Sequence, residues 1–412
     1  MKKKVNWKVL VTDADALHSL AIVRSLGSKG MRVSMSSHRK VFSLCFYSKF
    51  CKERIIYPAP NHSQEFINFM VHLVRSKRFD ILLPVRSTVV PLVAEHAEKF
   101  RPFVNFVLPS FESMTTANNK ELTFRFAEKV GIPVPKTIYP RKFSDIEQET
   151  KRFRFPVVTK ALVASGSRGL AYLNSPDELL RFAEKNFTQE SNLAQKKWIV
   201  QEYIRGPGCG FFSIFDRGEP KAIFMHRRLR EYPITGGPST LAESFYHPRL
   251  RELGLKLLRA LNWNGVAMVE FKLDQKDNEF KLMEINPRFW GSLNLPVACG
   301  VDFPYLFCLL AMKQNFEPVF NYKEGVKFRW LFPGDFMHLL AKYGLSRDFY
   351  KDFLDPNVRY DITLSDIKPN IVELFLIAGY FIQNRGRIRY PQGKPTKPAG
   401  RVMENERPST LG

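Results

Sequence analysis

The chain is short of acidic residues, of paired cysteines and of long apolar runs, and each shortage narrows what it can be. Against 63 Lys+Arg stand 40 Asp+Glu, a formal net charge of +23 over 412 residues. Such a balance favours acidic partners, whether nucleotides, nucleic acid or an anionic membrane surface. The basic residues are spread along most of the sequence, and nothing resembles a nucleic-acid-binding motif. Most of the excess therefore reads as solvated surface, and no specific nucleic-acid binding is expected. The longest apolar candidate, Leu374–Ile382, is too short to cross a bilayer. The start, Met1-Lys2-Lys3-Lys4, leads into strand-like Val9-Leu10-Val11 and lacks the apolar run of a secretion signal. Five cysteines (Cys45, Cys51, Cys209, Cys299 and Cys308) are scattered, with no CxxC spacing for zinc. An odd, dispersed set fits reduced thiols and a cytoplasmic setting. The first strand–helix turn, Thr12–Leu17, has no glycine-rich dinucleotide fingerprint, and no internal repeat is evident.

What is present is an α/β pattern. Over residues 8–110, strands at Lys8–Val11, Arg32–Ser36, Asp80–Pro84 and Val104–Leu108 alternate with helices at His18–Gly30, Gln64–Ser76 and Pro91–Lys99. That alternation predicts a doubly wound parallel sheet, Rossmann-like in type, over residues 1–112. A second module, 113–314, opens with a helix at Asn118–Val130 that Gly131, Pro133 and Pro135 stop. Within it, 113–196 reads as one subdomain and 197–314 as another, the second carrying a hairpin (Phe211–Phe215 with Pro220–His226) turned at Arg217-Gly218. Residues 315–383 read as a helical extension, and 384–412, rich in Pro, Gly and basic residues, as a disordered tail. Asn370–Gln383, followed by Arg385, Arg387, Arg389, Lys394 and Lys397, could lie on an anionic membrane. Packing on the body of the protein, with a solvated basic end, is the simpler expectation.

The strongest chemical signal is a pair of glutamates. Glu270 and Glu284 are equidistant from Asp277 in a polar turn, and the flanking segments Gly265–Asp274 and Phe280–Arg288 alternate as strands do. An antiparallel pairing sets the two carboxylates side by side, and period two adds Asn286 and Arg288 to the face of Glu284. Opposed like charges call for a cation between them. Two carboxylates and an amide oxygen are hard ligands that suit Mg²⁺, and the arginine suits a phosphate. Upstream, Ser165-Gly166-Ser167-Arg168-Gly169 follows a strand carrying Lys160. Backbone N–H groups of such a loop can curl around phosphate oxygens, although the lysine precedes the loop, so it is not a Walker A motif.

The order of these pieces matters more than any one of them. Lys120 opens a helix, Lys160 precedes a glycine-rich flap, and Val200-Gln201-Glu202-Tyr203-Ile204-Arg205-Gly206 comes next. Glu270 and then Met283-Glu284-Ile285-Asn286-Pro287-Arg288 follow. Over roughly residues 1–312 the chain resembles the ATP-grasp superfamily of carboxylate–amine and carboxylate–thiol ligases, and looks most like the branch near carbamoyl-phosphate synthase and biotin carboxylase. Gly131-Ile132-Pro133-Val134-Pro135 fits the turn that follows the lysine helix in that superfamily.

The resemblance implies a pre-ATP-grasp domain followed by an α+β ATP-grasp domain with a mobile lid. It implies that Lys120 and Lys160 hold ATP phosphates under a flap containing Ser165, Gly166, Ser167 and Gly169. Glu202, Tyr203 and Ile204 would line the adenine hinge. Glu270, Glu284 and Asn286 would bind two Mg²⁺ (Mn²⁺ as a substitute), and Arg288 would steady an acyl phosphate. The family's acidic ribose ligand after the hinge glycine is replaced here by Pro207-Gly208, which leaves that function to Glu202 or another residue.

Arg228, in His226-Arg227-Arg228, with the loop Thr235–Thr240, could hold a substrate carboxylate. Phe289-Trp290 could cover a pocket or belong to the core. Asp13 and Asp15 sit at the carboxyl end of the first strand, where open α/β sheets bind ligands, and could meet a substrate amine. The expected function is ATP-dependent joining of a small carboxylate to an amine, and a homodimer is one possible assembly. Two alternatives stand beside it: activation of bicarbonate in carboxylase or carbamoyl-phosphate fashion, and a non-catalytic nucleotide-binding or anionic-surface-binding protein.

Overall fold

Short β-rich runs assemble three sheets, and the candidate site lies where they meet. The structure, a computed structural model, describes residues 6–39, 43–151, 153–163, 170–187, 198–232, 234, 236–341 and 347–383. Strands β1 (Lys8–Val11), β2 (Arg32–Ser37), β3 (Cys51–Ile56) and β4 (Ile81–Leu83) form a fully parallel sheet in the order β3-β2-β1-β4. The helices Leu17–Ser28 and Ser63–Lys77 provide the crossovers. The expected strand at Val104–Leu108 shrinks to one bridge, Asn105 against Ile81. Its neighbour β4 is only three residues long, so there is little ladder to join.

The next sheet is small and antiparallel. It comprises β5 (Thr137–Ile138), β6 (Val157–Ala161), β7 (Leu170–Leu173) and β8 (Trp198–Glu202), in the order β5-β8-β6-β7. Helices Phe143–Thr150 and Pro176–Phe187 cover one face, and Ile146, Val157, Leu173, Leu179 and Val200 form a core separate from the others.

The largest sheet has seven strands. They are β9 (Gly208–Asp216), β10 (Glu219–Glu231), β11 (Ser239–Ser244), β12 (Gly265–Asp274), β13 (Glu279–Asn286), β14 (Lys327–Arg329) and β15 (Val358–Tyr360), in the order β13-β12-β9-β10-β11-β14-β15. The β9–β10 turn is Arg217-Gly218, both with positive φ, as a tight two-residue hairpin requires. One face of this sheet packs helix Pro248–Ala260 over Phe211, Phe215, Trp263 and Phe271. The other face, with Phe212, Phe224, Trp290 and helix Phe303–Ala311, merges into the core of the parallel sheet. The N-terminal sheet and the carboxylate-bearing hairpin are thereby held in one apolar cluster, which fixes the cleft between them.

The segment 315–383 is not wholly helical. β14 joins β11 and β15 joins β14, so the extension lengthens the large sheet before the helices Phe336–Ala341, Arg347–Leu354 and Lys368–Gln383 complete it. Three-residue strands are too short to show a period. A buried carboxylate locks this seam: Asp335 accepts from Arg329 Nε at 2.6 Å and from Arg230 Nε at 2.8 Å.

Candidate active site

The hairpin of β12 and β13 does bring Glu270 opposite Glu284, by a route that symmetry about Asp277 did not foresee. Near the turn Asp274 pairs with Glu279 and Phe271 with Leu282, a register that would set Glu270 against Met283. A bulge between these pairs takes Met283 out of the count, so Glu284 becomes the partner of Glu270 and Asn286 that of Met268. A one-residue slip would have turned Glu284 to the opposite face.

The carboxylates converge on a common amide. Asn286 Nδ2 donates to Glu284 Oε1 at 2.8 Å and to Glu270 Oε1 at 3.2 Å. Asn286 Oδ1 accepts from Arg288 Nη2 at 3.0 Å, and Arg288 Nη1 donates to the Phe289 carbonyl at 2.9 Å. Lys120 Nζ lies 3.4 Å from Glu284 Oε2. Arg228 forms an ion pair with Glu270 and lies 3.6 Å from Glu231 Oε2. Burial and the neighbouring Glu284 push the Glu270 carboxyl up. Burial acts on Glu284 in the same sense, but Lys120, the Asn286 hydrogen bond and Arg288 outweigh it and hold that carboxyl down. The pair thus carries less than two full charges until a cation enters. Lys160 on β6 is driven down to about 7 by burial and then by the charge of Lys120.

At the hinge, β8 ends in Glu202, whose Oε1 accepts the Lys136 N–H at 2.9 Å. Tyr203 meets Tyr172 edge-on, with ring centroids 5.6 Å apart. Ile204 is buried, and its carbonyl accepts from Lys272 Nζ at 3.1 Å. Lys272 escaped the sequence reading. It is two residues beyond Glu270 on the same strand, and burial lowers its pKa against the pull of Glu231. Period two from Glu270 was the available signal. Glu231 was also missed; burial raises its carboxyl although Arg228 and Lys272 oppose the rise. Gly206, at φ +143°, passes so close to β12 that a Cβ would lie 1.8 Å from the Leu273 carbonyl oxygen. Ser165, Gly166, Ser167 and Gly169 of the flap, with Thr235 of the substrate loop, lie outside the described residues.

Between the parallel sheet and the hairpin runs a small, partly open cleft, lined among others by Ser87, Pro91, Lys120, Glu284, Asn286 and Arg288. Its N-terminal wall, Ser87, Val90 and Pro91, comes from the segment that follows β4, and the carboxyl end of β1 is the neighbouring strand end. Asp13 there is structural: it accepts from Tyr57 Oη at 3.0 Å, from the Arg86 N–H at 3.0 Å and from Thr12 Oγ1 at 2.5 Å, with φ at 59°. Asp15 pairs through Oδ2 with Arg86 at 3.1 Å, while its buried Oδ1 has no partner. His18 beside them is kept neutral by burial and by the charges of Arg288 and Arg86. His226 stacks on Phe212 and hydrogen-bonds Ser292 Oγ at 2.8 Å, and burial takes it down to about 3. It is no anion site. Trp290, 1% exposed, belongs to the core rather than to a pocket cover.

Among the described residues no three His, Cys, Asp or Glu side chains cluster as a metal site. A cation at the hairpin would rest on Glu270, Glu284 and the amide oxygen of Asn286 if that amide turned over, and on oxygens of a bound ligand. The donor set is hard and anionic, and two crowded carboxylates gain from a cation between them, so the residues fit Mg²⁺.

Comparison with known proteins agrees with this architecture. Residues 194–332 match the family model described as "ATP-grasp in the biosynthetic pathway with Ter operon". The carbamoyl phosphate synthase large chain of Thermotoga neapolitana is 24% identical over 278 residues, 63% of this chain and 25% of that one. The chain thus spans about a quarter of the length of the curated relatives it matches. Biotin carboxylase from Campylobacter jejuni, solved as a β,γ-ATP complex, superposes with a TM-score of 0.63 at 17% identity, covering 79% of this chain and 75% of that one. N5-carboxyaminoimidazole synthetase from Staphylococcus aureus, complexed with ADP, gives 0.61 at 12% identity, covering 79% and 82%. At these identities the structural likeness speaks for the fold.

Proposed function

We propose, taking as premise that this chain is an ATP-grasp superfamily protein, that it is an ATP-dependent ligase. In this reading a substrate carboxylate attacks the terminal phosphorus of ATP, ADP leaves, and an amine displaces phosphate from the acyl phosphate to give an amide. The observation that carries the reading is the bulged hairpin. It gathers two opposed carboxylates, Asn286 and Arg288 beside Lys120, at a cleft walled by the N-terminal sheet.

The chain's groups divide the work. Lys120 and Lys160 neutralise phosphate oxygens, and Lys160, poised at about 7, takes up a proton as the anion arrives. Glu202, Tyr203 and Ile204 receive the base, with Lys272 bracing the hinge. Arg288, at the cleft end of β13, meets charge that develops on the transferred phosphoryl and the acyl oxygen. Arg228 orients Glu270. Mg²⁺ held by Glu270, Glu284 and Asn286 would shield phosphate charge. The small antiparallel sheet of β5–β8 acts as a lid that excludes water. Asp15, with one buried oxygen lacking a partner, and Arg86, next in sequence to the cleft residue Ser87, could read an amine and an acid.

Screening ADP release over amino acids, amino sugars and small carboxylic acids tests this directly. Stimulation by one acid–amine pair is expected, and release that no pair stimulates would count against it. The likeness to carbamoyl phosphate synthase and biotin carboxylase favours a second reading, activation of bicarbonate. Incorporation of labelled bicarbonate separates the two. A pure nucleotide sensor would have little use for Arg288.

A further inference from the structure

Helix Lys368–Gln383 is turned the unusual way round. Its polar residues Asn370 and Glu373 are buried, each 8% exposed. Arg24 Nη2 donates to Asn370 Oδ1 at 2.9 Å and Arg24 Nε to Asp366 Oδ2 at 2.9 Å, which fixes the helix about its own axis. The apolar residues face out: Ile371 is 44% exposed, Leu374 50%, Phe375 72% and Ile382 79%. With exposed Ala378 they recur at i, i+3, i+4, i+7 and i+11, one continuous stripe. Amphipathic helices bury such a stripe, and one left open marks a docking surface. The stripe begins beside exposed Lys368, and the only acid of the helix, Glu373, lies on the buried side.

The charge of the sequence says what covers it. Residues 384–412 carry seven Lys/Arg against two Asp/Glu, with four prolines, four glycines and five large apolar residues. That composition cannot supply a matching apolar face of its own. A second copy would bring two such cationic segments together, which repel. An anionic lipid surface satisfies both features at once, taking up the stripe and attracting the cations. The helix has 16 residues, and no described helix is long and apolar enough to cross a membrane, so it lies flat.

We propose that the outward face of Lys368–Gln383 seats this protein peripherally on an anionic membrane surface, with the basic residues that follow it held at lipid phosphates. The proposal is independent of the ligase reading, since the residues it uses are outside the candidate active site.

The test is co-sedimentation of the full chain with phosphatidylglycerol-containing vesicles and with vesicles of phosphatidylcholine alone. The double substitution Phe375→Ser, Ile382→Ser removes the stripe at exposed positions. Phe111→Ser, at a residue 55% exposed elsewhere, is the control. Binding to the anionic vesicles alone, weakened by salt and lowered about tenfold or more by the double substitution but not by the control, is expected. Absence of binding to anionic vesicles, or equal binding by the double variant, would overturn the proposal. So would light scattering showing a lipid-free oligomer that the double variant dissociates, because the face would then be a contact between copies.

Discussion

Lys160 is the place where function and stability should pull apart. Burial and Lys120 take its ammonium from 10.5 to about 7. Below pH 7 both folded and unfolded chains hold the proton, so the full penalty of a buried charge is present. Between 7 and 10.5 the folded chain gives the proton up while the unfolded chain keeps it, so the penalty fades as pH rises. A shift of this size bounds the penalty at about 5 kcal/mol, and relaxation of the surroundings should leave about 2 kcal/mol. Lys160→Met keeps an apolar stem of similar length and removes the ammonium, which lies 5.9 Å from the Phe124 ring centroid. We expect the nucleotide-free variant to melt about 2–4 °C above the parent near pH 6, and the gain to fall to about half or less near pH 9 on its way to vanishing above 10.5. MgATP affinity should fall by about tenfold or more, because a phosphate cation has gone. Thermal scans at the two pH values and a nucleotide titration check this. A variant less stable at both pH values, or one whose gain is the same at both, would refute the reasoning.

Other outcomes follow from the same geometry. Arg288→Ala should leave MgATP affinity nearly intact while turnover falls by about a hundredfold, and equal losses in both would contradict its role at the transition state. Gly206→Ala forces a Cβ onto the Leu273 carbonyl at a positive φ, so hinge and β12 must part. A loss of about 2 kcal/mol or more, read by denaturant unfolding, with weaker nucleotide binding is expected. Asp335→Ala removes the buried carboxylate that accepts from Arg329, 0% exposed, and from Arg230, and should lower stability by about 3–5 kcal/mol in the same measurement.

Much of this was legible in the sequence, for physical reasons that also explain the rest. The parallel sheet and the carboxylate hairpin could be read because apolar runs and period-two alternation are local signals. β3 was missed because its Lys52, Glu53 and Arg54 look like loop, as an exposed edge strand does. The bulge at Met283 leaves no mark in the pattern, and Glu270 opposite Glu284 was inferred from a turn centre one half-residue off. Lys272 and Glu231 were unread because their importance comes from neighbours brought by other strands. The two three-residue strands of the C-terminal segment form only because β11 offers an edge. The reversed face of the last helix depends on Arg24, more than 300 residues away in sequence, which period alone cannot reveal.

The central claim is that the hairpin carboxylates hold the metal of a nucleotide. Calorimetric titration of a non-hydrolysable ATP analogue, with and without Mg²⁺, into the parent and into Glu284→Gln tests it most directly. The account predicts saturable binding by the parent that requires Mg²⁺, and a metal-dependent component lost in Glu284→Gln. Binding that ignores Mg²⁺, or that Glu284→Gln leaves unchanged, would contradict it.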